Sequence, residues 1–252
     1  MSYIVIKIGG STLTNLDDSI IDDIYKLKEQ GYKPIIVHGG GPFINEALSH
    51  YNVEPEFKDG LRVTSEQVLD VTCQTLIGKV NPQIVTKLNK KGRSAIGING
   101  MDAQFFDIEP LDKKYGFVGT PTFINTELLS HLTAHYIPVI ASIGLKQGTT
   151  QQYNINADTL AYKVAEALAA PLYILSDIPG VLIEDQVQHS LCENDIKRYI
   201  AENHIYGGMI PKVQDAVLAI NNGCTKVIIA AGSEQHIVQK VHEGQSVGTT
   251  IY

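Results

Sequence analysis

The chemistry this chain can perform is concentrated in six short loops. Lys7-Ile8-Gly9-Gly10-Ser11 sets an ammonium group beside paired glycines. Glycines let a backbone approach phosphate oxygens closely, and lysine supplies a compact positive charge. The same residues would also form an ordinary tight turn with Lys7 in solvent. The loop is not a Walker A motif, because the chain has no GxxxxGK[ST]. His38-Gly39-Gly40-Gly41-Pro42 places three glycines ahead of a helix start. That arrangement either presents several N–H donors to one anion or is a flexible loop needing positive φ. His38 by itself reads as structural. In Asp59-Gly60-Leu61-Arg62-Val63-Thr64 the arginine could clamp a carboxylate through two parallel hydrogen bonds, or be an ordinary surface charge.

Three further loops lie in the second half. Tyr153-Asn154-Ile155-Asn156-Ala157-Asp158 alternates two asparagines on one side of an extended segment and brings Asp158 into a helix's first turn. Helix capping accounts for one such residue comfortably, and three is an excess. Leu175-Ser176-Asp177-Ile178-Pro179-Gly180-Val181 has the polar and glycine content of a nucleotide-cradling loop, with a plain β-turn as its rival. Tyr206-Gly207-Gly208-Met209-Ile210-Pro211-Lys212 puts two glycines at a helix start and Lys212 about one turn inside, within reach of a phosphate or of solvent.

The elements that must position these loops are legible as apolar runs. Strands are expected at Tyr3–Ile8, Pro34–Val37, Ser94–Ile98, Ile137–Ser142, Leu172–Leu175 and Lys226–Ala230, several of them continuously apolar, as strands covered on both faces are. Helical patterns fall between them: Ile20–Gln30 with Gly31 as its stop, a run opened by a Thr64/Gln67 capping box, restarted or kinked at Pro82 and ended at Gly92, then Ala157–Ala169 and Ile210–Asn222. Glu54–Val63 and Phe105–Phe117 read as hairpins. Alternating strands and helices predict an α/β fold with a mainly parallel sheet, and ligands on such sheets sit beyond the carboxyl ends of the strands. A soft division falls near Tyr153.

The bulk numbers narrow the class. The 252 residues suit one large α/β domain or two joined lobes, with 44% apolar and 19% charged residues. A net charge of -7 gives no general attraction to nucleic acid or anionic membrane. Cys73, Cys192 and Cys224 are odd in number and far apart, which disfavours a disulfide framework or a zinc site and points to a reducing cytoplasm. A signal peptide and a transmembrane run are not expected.

In order and spacing the six loops together resemble the amino acid kinase family over essentially the whole chain. The pair Gly60-Leu61-Arg62-Val63-Thr64 and Asn154-Ile155-Asn156-Ala157-Asp158 is most similar to members that phosphorylate N-acetyl-L-glutamate. The resemblance implies a three-layer αβα sandwich, with residues 1–152 as a lobe for acceptor binding and dimerisation and residues 153–252 as the ATP lobe. It implies Lys7 and Lys212 as the transition-state lysines, organised by Asp158. Gly40 and Gly41 would hold oxygens by backbone N–H, and Arg62, Asn154 and Asn156 would bind the acceptor. Gly9, Gly10, Ser176, Asp177, Gly180, Val181, Leu182, Tyr206, Gly208 and Met209 would surround ATP, with Mg2+ carried on its phosphates. A cytoplasmic homodimer is implied. Members inhibited by arginine carry a helix before the first strand. Here the strand opens at residue 3, so arginine insensitivity is expected. Other acceptors of the family (carbamate, glutamate, aspartate, UMP or isopentenyl phosphate) and a nucleotide-binding regulator without turnover remain as alternatives. A Rossmann oxidoreductase is disfavoured, because the first loop lacks GxGxxG.

Overall fold

The computed structural model describes residues 2–90 and 95–252. They form two compact units, Met1–Pro34 with Val164–Tyr252, and Ile35–Lys163. The division differs from a single cut near Tyr153, since the N-terminal 34 residues group with the C-terminal part of the chain.

In the first unit the strand Tyr3–Ile8 pairs in parallel with Leu172–Ser176, which pairs in parallel with Val227–Ala231. Thr249–Ile251 is antiparallel to Val227–Ala231, and Ser190–Leu191 runs parallel to Thr249–Ile251 at the edge. Leu172–Ser176 is buried at every position, which is why its sequence shows no alternation. The helix Asp18–Glu29 starts where Asp17 accepts a hydrogen bond from the Ser19 N–H at 2.8 Å. It ends where Gly31 takes φ +89°, a left-handed turn that glycine adopts without strain.

In the second unit Lys33–His38 and Ala95–Ile98 each pair in parallel with Ile137–Ala141. The architecture is thus the expected mixed α/β fold with a mainly parallel sheet. A second feature was not expected. Gln152–Ile155, Val118–Ile124, Phe106–Pro110 and Ile143–Leu145 close into a small barrel. The hairpin expected over 105–117 is present but longer: Phe106–Pro110 pairs antiparallel with Val118–Ile124, which lies beyond the expected bounds. The single strand expected over Ile137–Ser142 ends at Ala141, and after Ser142 the chain enters the barrel as Ile143–Leu145. Gly100 lets the Phe106 ring fill the interior: a Cβ there would meet the ring at 2.8 Å.

The helical run after the first hairpin also departs from expectation. Its cap is Ser65, whose Oγ accepts from the Val68 N–H at 3.3 Å, and not Thr64. Thr64 is fully buried, and its hydroxyl donates to the Arg62 carbonyl at 2.9 Å. The helix Glu66–Thr75 passes through a π turn at Leu76–Val80 into Asn81–Asn89. Pro82 cannot donate to the carbonyl four residues back and crowds it, so the ladder widens just ahead of the ring. The stop expected at Gly92 lies outside the described residues. Among the described residues no helix is long and apolar enough to cross a membrane.

Candidate active site

In the unit Ile35–Lys163 Arg62 meets the Gly40–Gly41 loop at one helix start, while Asn154 and Asn156 make their contacts elsewhere in the same unit. The helix Gly41–His50 has no side-chain cap and no acidic residue in its first turn, so its N-terminal partial charge stays positive and uncompensated locally. Arg62 comes to it from the strand pair Phe57–Lys58 and Leu61–Arg62. Its Nη2 donates to Asn45 Oδ1 at 2.6 Å and lies 3.4 Å from the Gly41 carbonyl, and its guanidinium stacks 4.8 Å from the Phe57 ring centre. Arg62 is 8% exposed, and its Nη1 is buried without a hydrogen-bond partner. Burial lowers the guanidinium pKa from its usual value. A buried guanidinium edge with no acceptor costs stability on its own, and a carboxylate is the group whose geometry completes it.

The hairpin is fastened from outside. Asp59 accepts from the Tyr115 hydroxyl at 2.7 Å and from Lys114 Nζ at 3.0 Å, and the Tyr115 hydrogen bond is the main reason its carboxyl pKa falls below the usual value. Asn154 joins the same assembly, its Nδ2 donating to Thr64 Oγ1 at 3.1 Å. Asn156 performs the capping role: its Oδ1 accepts from the N–H groups of Asp158 and Thr159 at 2.8 and 3.1 Å. Asp158 lies half-buried in the first turn of Ala157–Ala167. Asn45 went unnoticed in the sequence, although four residues past Gly41 is one helical turn on the same face.

His38 ends the strand that leads into this loop and is fully buried. Burial pushes its pKa down to about 4, against a partial offset from its hydrogen bond to Gly39. The folded value lies below the unfolded value near 6.5, so the unfolded chain binds the extra proton first. The neutral ring therefore contributes its full stabilisation above about pH 6.5 and loses it as pH falls toward about 4, a span of about 3 kcal/mol. Urea unfolding at pH 7 and pH 4.5 should show this loss, and His38→Asn should flatten it. An equal acid sensitivity in that variant would assign the loss to other groups.

The expected nucleotide residues fall in the other unit, and Gly9, Gly10, Ser176 and Asp177 among them stand at the carboxyl ends of neighbouring parallel strands, where ligands of open α/β sheets bind. The Gly9 N–H donates to the Leu175 carbonyl at 2.9 Å, so pairing runs one residue past the first strand. A Cβ on Gly9 would lie 2.9 Å from that carbonyl and 3.7 Å from Lys7 Nζ. Only a residue without a side chain lets the strands stay this close with the lysine folded over the turn. Gly10 opens the short helix Gly10–Thr14. Ser176 donates to Asp177 Oδ1 at 3.0 Å, and its carbonyl accepts from the Gly232 N–H at 2.8 Å.

Gly180 has φ +151° and would place a Cβ 2.6 Å from Thr249 Oγ1, which accepts from the Val181 N–H at 2.7 Å. Val181 is buried and Leu182 is 40% exposed. Tyr206, exposed, precedes Gly207 at φ +58° and Gly208, the uncapped start of Met209–Asn221. Lys212 stands half-buried about one turn in.

Comparison with known proteins identifies the family. Residues 2–231 match the description "Amino acid kinase family". The chain belongs to the amino acid kinase family. It is 59% identical over 251 residues to the acetylglutamate kinase of Staphylococcus saprophyticus, covering 100% of this chain and 99% of that protein. A crystal structure from Streptococcus mutans UA159 superposes with TM-score 0.86 at 31% identity, covering 99% and 98% of the two chains. Carbamate kinase from Giardia lamblia bound to AMP-PNP superposes with TM-score 0.71 at 16% identity, covering 99% and 98%, and shares the fold. Within an amino acid kinase, the two constellations described above fall in different compact units: the glycine loop with Arg62 in one, and Lys7 with the Gly180 and Gly208 loops in the other.

Proposed function

We propose that the chain transfers the γ-phosphoryl group of ATP to the side-chain carboxylate of N-acetyl-L-glutamate, giving N-acetyl-L-glutamyl 5-phosphate and ADP, the second step of arginine biosynthesis. The observation that carries the acceptor site is the buried, unpartnered Nη1 of Arg62 beside an uncapped helix start. The full-length likeness to the staphylococcal acetylglutamate kinase supports the identity of the acceptor.

In this reading the unit Ile35–Lys163 holds the acceptor. Arg62 takes its α-carboxylate, Asn154 and Asn156 complete the pocket, and Gly40 and Gly41 donate backbone N–H groups to oxygens of the reacting groups. The other unit holds ATP, with Gly9, Gly10, Ser176, Asp177, Gly180, Val181, Leu182, Tyr206, Gly208 and Met209 around it. Lys7, Lys212 and Asp158 are the proposed catalytic residues. Mg2+ would enter with the nucleotide on phosphate oxygens and water, as this cation prefers. Among the described residues no group of three or more His, Cys, Asp or Glu forms a cage for it. By likeness to the family, the working form is proposed to be a cytoplasmic homodimer.

The chemistry explains the cast. A glutamyl carboxylate with pKa about 4.3 is already ionised at neutral pH, so no general base is needed. The obstacle is charge. Two like charges about 3.5 Å apart at an effective dielectric near 20 repel by about 5 kcal/mol. Fixed cations and N–H dipoles in line with the transfer remove that barrier. A coupled assay of ADP release should show turnover with N-acetyl-L-glutamate at least about tenfold above glutamate, aspartate, carbamate, UMP and isopentenyl phosphate, the scale for one lost set of acceptor contacts. A preference for another acceptor would reassign the substrate, and ATP binding without ADP release from any of them would make the chain a nucleotide-binding regulator.

A further inference from the structure

The Gly39–Gly41 loop is gripped from its buried side by groups the proposed reaction does not touch. His38 Nδ1 lies 2.9 Å from the Gly39 carbonyl oxygen, and its Nε2 lies 3.0 Å from Asn81 Nδ2. The same Asn81 nitrogen donates to the Val139 carbonyl at 2.9 Å, on the neighbouring strand. Carbonyl oxygens only accept, so the proton of the ring belongs on Nδ1. Nε2 is then bare and accepts one amide hydrogen, while the other goes to Val139. One neutral tautomer satisfies every one of these contacts.

The π turn makes this possible. In an α-helix residue 81 would stand about 140° around from residue 76, whereas a turn closed i→i+5 brings it back to about 50°. Leu76, Val80 and Asn81 therefore share one face. Leu76 Cδ2 and Val80 Cγ2 sit 2.8 and 3.2 Å from where a Cβ of Gly40 would be. The helix thus presses on Gly40 with two apolar side chains and holds His38 with the residue that follows.

The C=O of Gly39 and the N–H of Gly40 belong to one trans peptide and point in opposite directions. Anchoring that oxygen to His38 on the core side aims the Gly40 N–H away from the core. We propose that His38 and Asn81 are positioning residues for phosphoryl transfer: the His38–Asn81 pair sets the plane of the Gly39–Gly40 peptide so that the Gly40 N–H meets the oxygens of the transferring group. This rests on the reading of Gly40 as a donor to the reacting groups.

Two variants separate aim from mere packing. In His38→Asn the amide nitrogen falls near the place of Nδ1 and keeps the bond to Gly39. In His38→Gln it falls near Nε2 and gives that bond up. With wild-type turnover of N-acetyl-L-glutamate established, His38→Gln should lower kcat by about 10–100-fold, less than full loss of a fixed donor, with both KM values within about threefold. His38→Asn should recover most of that loss. Equal kcat in the two folded variants would overturn the positioning role and leave the kinase reading intact. Absent wild-type turnover would overturn the kinase reading and with it this role. Independently of any variant, 15N NMR of the wild-type chain should show the proton of His38 on Nδ1 and a shift of the Gly40 amide when ADP and N-acetyl-L-glutamate are added. A proton on Nε2, or a Gly40 amide unmoved by both ligands, would sink the proposal.

Discussion

Replacing Lys7 with alanine is expected to lower kcat by about 10²–10³-fold, the scale for losing one preorganised charge stabiliser. The barrier to be lowered is the approach of a carboxylate to an anionic phosphate, and an ammonium held in place before the reaction offsets it without reorganisation. Lys7 is held in this way. Its backbone is registered against Ile174 in the sheet, and its Nζ lies over the Gly9 turn, 3.7 Å from the position a Gly9 Cβ would take. A substituted arginine would be a poor rescue, because its planar fork is broader than the ammonium that fits over this turn. Lys212→Ala should fall on the same scale. That lysine rides about one turn inside Met209–Asn221, entered through Gly207 at φ +58°. Steady-state kinetics by coupled ADP release would decide both cases. A variant whose kcat stays within about threefold of wild type would remove that lysine from the mechanism.

The parts of this molecule legible in the sequence are those whose physics is local. Tyr3–Ile8 and the stop at Gly31 could be read because a mostly buried apolar run and a left-handed turn leave their mark on the residues themselves. Gly9 and Gly180 could be picked out, but the reason for each is non-local: Leu175 behind one and Thr249 behind the other. The closure of the barrel could not be read. It depends on Ile143–Leu145 leaving the line of Ile137–Ala141, and both segments are apolar enough to pass for one strand. The cap at Ser65 was misplaced by one residue for a related reason. Thr64 has the chemistry of a cap, and only its burial against Asn154 and its bond to the Arg62 carbonyl show that its hydroxyl is used elsewhere. Asn156 ran the other way. It looked like part of a binding pair, and its Oδ1 serves as a helix cap.

Arg62→Met is expected to raise the KM for N-acetyl-L-glutamate by about 100-fold, which corresponds to about 3 kcal/mol of a charge-assisted bidentate contact. The kcat should change by much less, since the group Arg62 is proposed to bind is remote from the transferring phosphate and contributes equally before and during transfer. The same substitution should move the stability of the ligand-free protein by no more than about 1 kcal/mol. A buried guanidinium with one nitrogen unpartnered already bears a desolvation cost, and removing it offsets the loss of the bond to Asn45 and the stacking on Phe57. Methionine keeps comparable bulk against the same ring. This pairing of a large binding defect with a small stability change distinguishes a residue kept for a ligand from one kept for the fold. Urea unfolding without ligand, set beside acceptor kinetics, reads both quantities. A steep loss of stability with unchanged KM would make Arg62 a structural strut of the hairpin, and a collapse of kcat at constant KM would move it to the reacting centre.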